Sequence, residues 1–315
     1  MDHQKRSLLV ILFIFFLSYA PVQAQATGAG YGVTPLLPEN QLDEATYFNL
    51  LVAPGDTQRL SIQLTNQENQ PKILHIAPTT ATTSNIGAIQ YTTTKPELLK
   101  GPVLSELLSA PKTVTLQSQE TKIIDFTLTM PQESFQGILL GSFLIQEVGQ
   151  NSNANGIANQ FAYEIGLMIR ESKKLPSMKI SFHKLQLNNN DLTIQFKNQS
   201  GRLVSGTLKA KLVGKKQSFS KELQIAPNTA SQIIFPFEKL PTGATSVKLT
   251  FTTDKGEKFD YQQGIYLYSQ EGKLQLTKLS ISWQWLITGG IFLAVCLLAI
   301  TILFFKKHKK SGKSQ

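Results

Sequence analysis

Four histidines and one cysteine are the whole stock of soft ligands and strong nucleophiles in this 315-residue chain. His3 and His308 lie in the terminal segments, which leaves His75 and His183, each in a strand-like run in a different half. A zinc site or a His-based triad needs several such groups converging on one point. Both histidines therefore read as solvated or locally paired strand residues. Cys296 lies in an apolar run with no second thiol to pair with, so a disulfide framework is excluded. No GxSxG, HExxH, P-loop or Gly-rich dinucleotide motif occurs. A carboxylate pair for glycoside hydrolysis has 13 acidic residues of 27–172 to draw on, and nothing singles out two of them. The expectation is no catalytic residue, no metal and no cofactor.

Binding chemistry is better supplied. Lys209 and Lys211 share one face of the run Leu208-Lys209-Ala210-Lys211-Leu212, and Lys215 and Lys216 carry the charge into the next turn. They form a candidate anion-binding face, set against the plainer role of lysines that keep an edge strand from pairing. Anionic lipid, wall polymers and host polysaccharide are its candidate ligands. Nucleic acid is not expected, because no aromatic residues interleave the charge. Tyr47, Phe48, Tyr91 and Phe135 offer rings that stack on sugars, although core packing is the first expectation for any one of them. The run Thr79 to Gly87, with Thr82, Thr83, Ser84 and Asn85, is rich in hydroxyl and amide groups. It reads as a long irregular polar loop able to present them to a sugar.

The elements that carry these residues are almost all β. Leu60 to Leu64, Ile124 to Leu128, Leu192 to Phe196 and Val247 to Phe251 alternate apolar and polar with period two. That pattern marks half-buried antiparallel strands. Asn188–Asp191 and Asp254–Glu257 read as hairpin turns, and a short helix is expected over Val103–Leu108 after Pro102. Short strands with frequent turns predict two tandem Ig-like β-sandwich domains, 27–172 and 173–282. The polar stretch 149–156 is a hairpin loop within the first; if the strand at 161–170 instead opens the second, the boundary moves to about 155. Residues 27–172 hold 7 basic and 13 acidic side chains, whereas 173–282 hold 17 and 7. Such asymmetry concerns partners and not fold.

Both ends are apolar. Lys5 and Arg6 precede the run Ser7–Leu17, and small residues end at Ala24 or Ala26, the layout of a signal peptide over 1–26. Residues 283–305 are long enough to span a bilayer as a single C-terminal helix. Trp283 and Trp285 stand at one edge; Lys306 and Lys307 open a Lys-rich cytoplasmic tail, 306–315, at the other. The chain reads as a type I, single-pass membrane protein whose ectodomain faces the cell wall.

In order along the chain stand Tyr47-Phe48-Asn49-Leu50, Ala53-Pro54-Gly55-Asp56, Leu60 to Asn66, Ala81 to Tyr91, Pro131 with Gly137 to Gly141, and Tyr163 to Leu167. Together with the leader, span and tail, this series resembles the WxL-interacting protein family of Gram-positive surface proteins. The resemblance implies an N-terminal peptidoglycan-binding domain and a C-terminal domain that binds host components. It also implies WxL-domain proteins as partners at the cell wall. Thr82, Thr83, Ser84, Asn85 and Tyr91 become the candidate peptidoglycan-binding loop. An adhesion scaffold is the leading reading, ahead of a wall sensor working through a membrane partner and of a wall hydrolase.

Overall fold

The computed structural model describes residues 29–148, 161–188, 191–237, 240, 242–270 and 273–278. The leader over 1–26, the polar stretch 149–156, and the span and tail with Trp283, Trp285, Lys306 and Lys307 lie outside them. Among the described residues no helix is long and apolar enough to cross a membrane.

Among the described residues nine strands come first: β1 (Tyr31–Leu36), β2 (Phe48–Leu51), β3 (Thr57–Asn66), β4 (Lys72–Thr83), β5 (Ile89–Thr92), β6 (Lys112–Leu116), β7 (Thr121–Thr129), β8 (Leu139–Glu147) and β9 (Ala162–Arg170). They form a three-stranded sheet, β1-β3-β7, and a larger sheet ordered β2-β9-β8-β4-β5, with β6 also on β4. The alternation seen in sequence orients them: Leu60, Ile62 and Leu64 of β3 point inward and meet Phe143 and Ile145 of β8 in one buried cluster. Phe143 lies 4.7 Å from the Phe126 ring and 6.1 Å from Phe48. Phe48, offered above as a sugar-stacking ring, is thus fully buried core. The short helix is a 3₁₀ turn at Leu104–Leu107 whose Leu104 enters the same cluster. Strand β9 pairs antiparallel with β8 and parallel with β2, so it is built into this first unit.

Eight further strands follow among the described residues: β10 (Ile180–Asn188), β11 (Asp191–Asn198), β12 (Val204–Leu212), β13 (Ser218–Ile225), β14 (Thr229–Phe235), β15 (Gly243–Thr253), β16 (Lys258–Gln270) and β17 (Lys273–Lys278). Sheets β10-β11-β14 and β13-β12-β15-β16-β17 close over a second cluster that includes Phe196, Phe235 and Phe251. Strand β12 lies between β13 and β15, so its lysines do not guard a sheet edge as the plainer sequence reading supposed.

Tyr31 couples the first core to pH. Its hydroxyl donates toward the Ile145 and Phe161 carbonyls, each at 3.3 Å. Burial, helped by Tyr163 and Glu147, pushes its pKa up to about 12. A raised tyrosine pKa means that the fold favours the neutral form. This contribution is complete below pH 10 and is lost as pH rises from 10 toward 12. Urea unfolding at pH 9 and at pH 11.5 is expected to show a fall in stability that Tyr31→Phe reduces. An unchanged fall in that variant would place the alkaline sensitivity elsewhere.

Candidate functional site: a cleft at the joint between the two units

The two units meet through a third, smaller cluster, in which Ala81, Ile138 and Leu140 pack with Ala226 and half-buried Tyr91, Met168 and Leu203. Around it run hydrogen bonds between residues far apart in sequence. Ile138 N–H donates to Gly201 O, Leu99 N–H to Asn228 O and Gln224 N–H to Gly87 O, each at 2.8 Å. Ser231 donates its hydroxyl to Ser84 O at 2.7 Å. Thr83 Oγ1 accepts the Ala226 N–H at 2.9 Å and lies 2.9 Å from Thr229 Oγ1, which itself donates to Ala226 O. Satisfying buried backbone groups in this way ties the units by geometry as well as by apolar contact.

This arrangement changes the reading of the Thr79–Gly87 run. Thr79–Thr83 belong to β4, because β-branched residues suit a pleated surface and the Thr79 hydroxyl is taken up by Ser142. Ser84 then closes a tight turn by bonding Ala88 N–H and C=O. The long irregular loop is therefore a strand end, a turn and β5. Thr83 is buried in the joint and Ser84 is bonded to the second unit, while Thr82 donates to Gln90 O within the β4–β5 pair. Tyr91 stands opposite Ala81, half-buried, its hydroxyl pKa raised by burial and by Glu164. Of the five, Asn85 alone is exposed, beside Ile86 at the turn.

The concave surface lies next to this contact. The loop between β7 and β8 projects Ser134, Phe135 and Gln136 as a ridge, with a cleft on each side. One, about 600 Å³, is completed by Lys100, Gly101, Glu133 and, from the second unit, Asn228. The other, about 460 Å³, runs past Pro54, Glu171, Lys174 and Pro176. Glu171 Oε2 pins the ridge by accepting the Ser134 hydroxyl and the Phe135 N–H. Asn228 Oδ1 and Glu171 Oε1, one beside each cleft, are buried without a hydrogen-bond partner. Buried acceptors left unmatched are costly in a fold by itself and useful to a ligand that brings donors. Half-buried Phe135 gives an apolar platform, Lys100 an ammonium group and Glu133 a carboxylate. The set suits a ligand with hydroxyl and amide donors and charges of both signs.

The lysines lie elsewhere. Lys209, Lys211, Lys215 and Lys216 are exposed on the second unit, on the outer face of β12 and in the turn after it. The histidines are apart: His75 on β4 bonds Thr113 at 2.9 Å, and His183 is on β10. Among the described residues no three His, Cys, Asp or Glu side chains gather as a metal set. Of the residues lining the clefts, the sequence offered Phe135 as a binding residue and Pro54 as part of a motif. Asn228 and Glu171 gave no local signal of a site in the sequence.

Fold and cleft together define an all-β protein of packed sheets with a concave surface beside its joint. Residues 31–147 match the family model described as "WxL Interacting Protein, peptidoglycan binding domain". The matched family is one of binding domains and not of enzymes. No curated protein matches. Among solved structures the fold is similar to that in "Chaperone-tip adhesin complex is vital for synergistic activation of CFA/I fimbriae biogenesis", at 10% identity and TM-score 0.36, covering 73% of this chain and 98% of that one. It is also similar to the YadV chaperone (12%, TM-score 0.32, covering 75% and 99%). A third is the E. coli chaperone DraB (13%, TM-score 0.31, covering 74% and 94%). Similarity at these scores carries no argument about function.

Proposed function

We propose that the protein is a non-enzymatic adhesion scaffold, anchored in the cell membrane by residues 283–305, that holds peptidoglycan in the cleft at its joint. One observation carries this reading: the cleft opens on the ridge Ser134–Gln136, inside the segment that matches a peptidoglycan-binding domain, with buried acceptors and charges of both signs around an aromatic ring. Peptidoglycan presents the complementary groups, namely sugar hydroxyls, acetamido and peptide N–H groups, and free carboxylates and amines. The two units act as tandem Ig-like domains with the joint between them. The second is the place for a WxL-domain protein or a host extracellular component, held by strand addition at a free sheet edge.

The test is cosedimentation of the full chain, in detergent, with purified peptidoglycan over a salt series. Retention is expected to persist at high salt, where attraction between exposed charges is screened. Phe135→Ala and Asn228→Gly are each expected to weaken it about tenfold or more, the loss of one stacking or buried hydrogen-bonding partner. Glycine at 228 keeps the positive φ of 54° available. Retention that salt abolishes, or that neither substitution changes, would remove the cleft as the binding site.

A further inference from the structure

The outer face of the five-stranded sheet carries charge in a pattern that stability does not favour. Lys211 and Lys248 stand directly opposite one another on β12 and β15, with Lys209 two residues along, and all three are exposed. Like charges facing across a ladder weaken it. Among the described residues none of the three forms an ion pair. The turn after β12 adds Lys215 and Lys216 beside Val213, a valine 44% exposed. The carboxylates of this face are Glu222 on β13 and Asp260 on β16, and Asp260 accepts a 2.5 Å bond from the Thr250 hydroxyl.

The turn after β12 lies near the row of the sheet that meets the end of β17, and Lys211 and Lys248 stand about three residues along from that row. Lys278 is opposite Ile265 and Ile265 is opposite Thr245. The Thr245 hydroxyl donates to Val213 O at 3.3 Å. At a strand spacing of ~4.8 Å, the Val213 turn is roughly 15 Å across the sheet from Lys278. From Lys278 to Trp283 is five residues, a reach of at most about 17 Å. With 283–305 in the bilayer, that tether keeps Lys278 within about 17 Å of Trp283, close enough for this edge of the sheet to reach the headgroup layer.

We propose that Lys211, Lys215, Lys216 and Lys248 dock the second unit onto anionic lipid headgroups of the membrane that anchors the chain, with Val213 entering the interface. The inference rests on the anchor reading given above. The Debye length is about 10 Å in 0.1 M salt, so the ammonium groups feel an anionic surface once the tethered edge of the sheet comes down onto it. A soluble phosphate polymer offers the same chemistry, but the tether presents lipid at a far higher effective concentration. Docking fixes the tilt of the second unit and, through the joint, the direction in which the cleft faces the wall.

The experiment uses the full chain carrying Cys296→Ser and Val213→Cys, with a fluorophore on the new thiol, in nanodiscs of phosphatidylcholine with or without phosphatidylglycerol. Quenching by headgroup-labelled lipid is expected to be about threefold stronger in the anionic discs. It is expected to return to the zwitterionic value in a chain that also carries Lys211→Gln, Lys215→Gln, Lys216→Gln and Lys248→Gln, with an unchanged circular dichroism spectrum. Equal quenching in both discs, or quenching that the four substitutions leave intact, overturns the docking. So does a soluble glycerol phosphate polymer that displaces the fluorophore from anionic discs at trace concentration. Failure of the chain to elute with either disc overturns it differently, through the anchor.

Discussion

A Gly137→Val chain is expected to separate the two units. Gly137 has φ +95°, and a Cβ built on it would sit 2.1 Å from Gly201 O and 2.5 Å from Gly201 Cα. Backbone on the far side of a joint cannot rotate away as a side chain would, so relief comes from opening the contact. Opening it releases the Ile138–Gly201 hydrogen bond and uncovers the Ala81, Ile138, Leu140 and Ala226 cluster. The strained φ alone costs about 1–3 kcal/mol, and lost packing adds to it. Scattering is expected to show a larger radius of gyration, and calorimetry to show two unfolding transitions with a total loss of about 3 kcal/mol or more. Gly256→Ala is the control: its φ is +84°, yet no atom lies within 4 Å of the added carbon. It is expected to cost about 1 kcal/mol without separating the units. Unchanged dimensions in the Gly137 variant would show that the joint absorbs the side chain.

The second large effect is expected where a charge is buried in the first sandwich. Lys72 is 3% exposed, and its Nζ lies 3.1 and 3.0 Å from the two oxygens of Glu147 and 3.2 Å from Glu68. Burial by itself would lower the Lys72 pKa, but hydrogen bonds and charge from the two carboxylates outweigh it, and the net direction is upward. Glu147→Gln leaves that ammonium with only the half-exposed Glu68 as a charged partner. It is expected to cost about 3–5 kcal/mol in urea unfolding, the penalty for breaking a buried pair from one side. The paired change Lys72→Met with Glu147→Leu removes both charges and is expected to recover most of the loss. If both variants lose the same stability, packing by the long side chains matters and not the uncompensated charge.

The strands were legible because their cause is local. In β3, β7, β11 and β15 each apolar residue has a polar neighbour, and a pleated strand sends the two to opposite faces. The structure accordingly buries Leu60, Ile62, Leu192, Ile194 and Phe196. The exposed lysines of β12 were legible by the same rule, but their place inside the sheet was not, since pairing order depends on which strands meet. Lys72 shows the limit of the pattern: it occupies an inward position of β4 next to Leu74 and Ile76, where period two asks for an apolar residue. Glu147, 75 residues away, together with Glu68, makes its charge tolerable there.

What the sequence by itself determined was the β class, the inward faces of the strands and a resemblance whose first part, residues 31–147, matches a peptidoglycan-binding domain model. These follow from residue type and spacing over a few positions, or from an ordered series of short motifs. The joint and its cleft were decided by tertiary structure. Thr83 meets Ala226 across 143 residues, and Gly137 meets Gly201 across a distance that leaves no periodic trace. A polar run such as Thr79–Gly87 looks the same whether water or a second unit receives its hydroxyls. Which of the two receives them depends on what packs alongside, and that is a property of the folded chain.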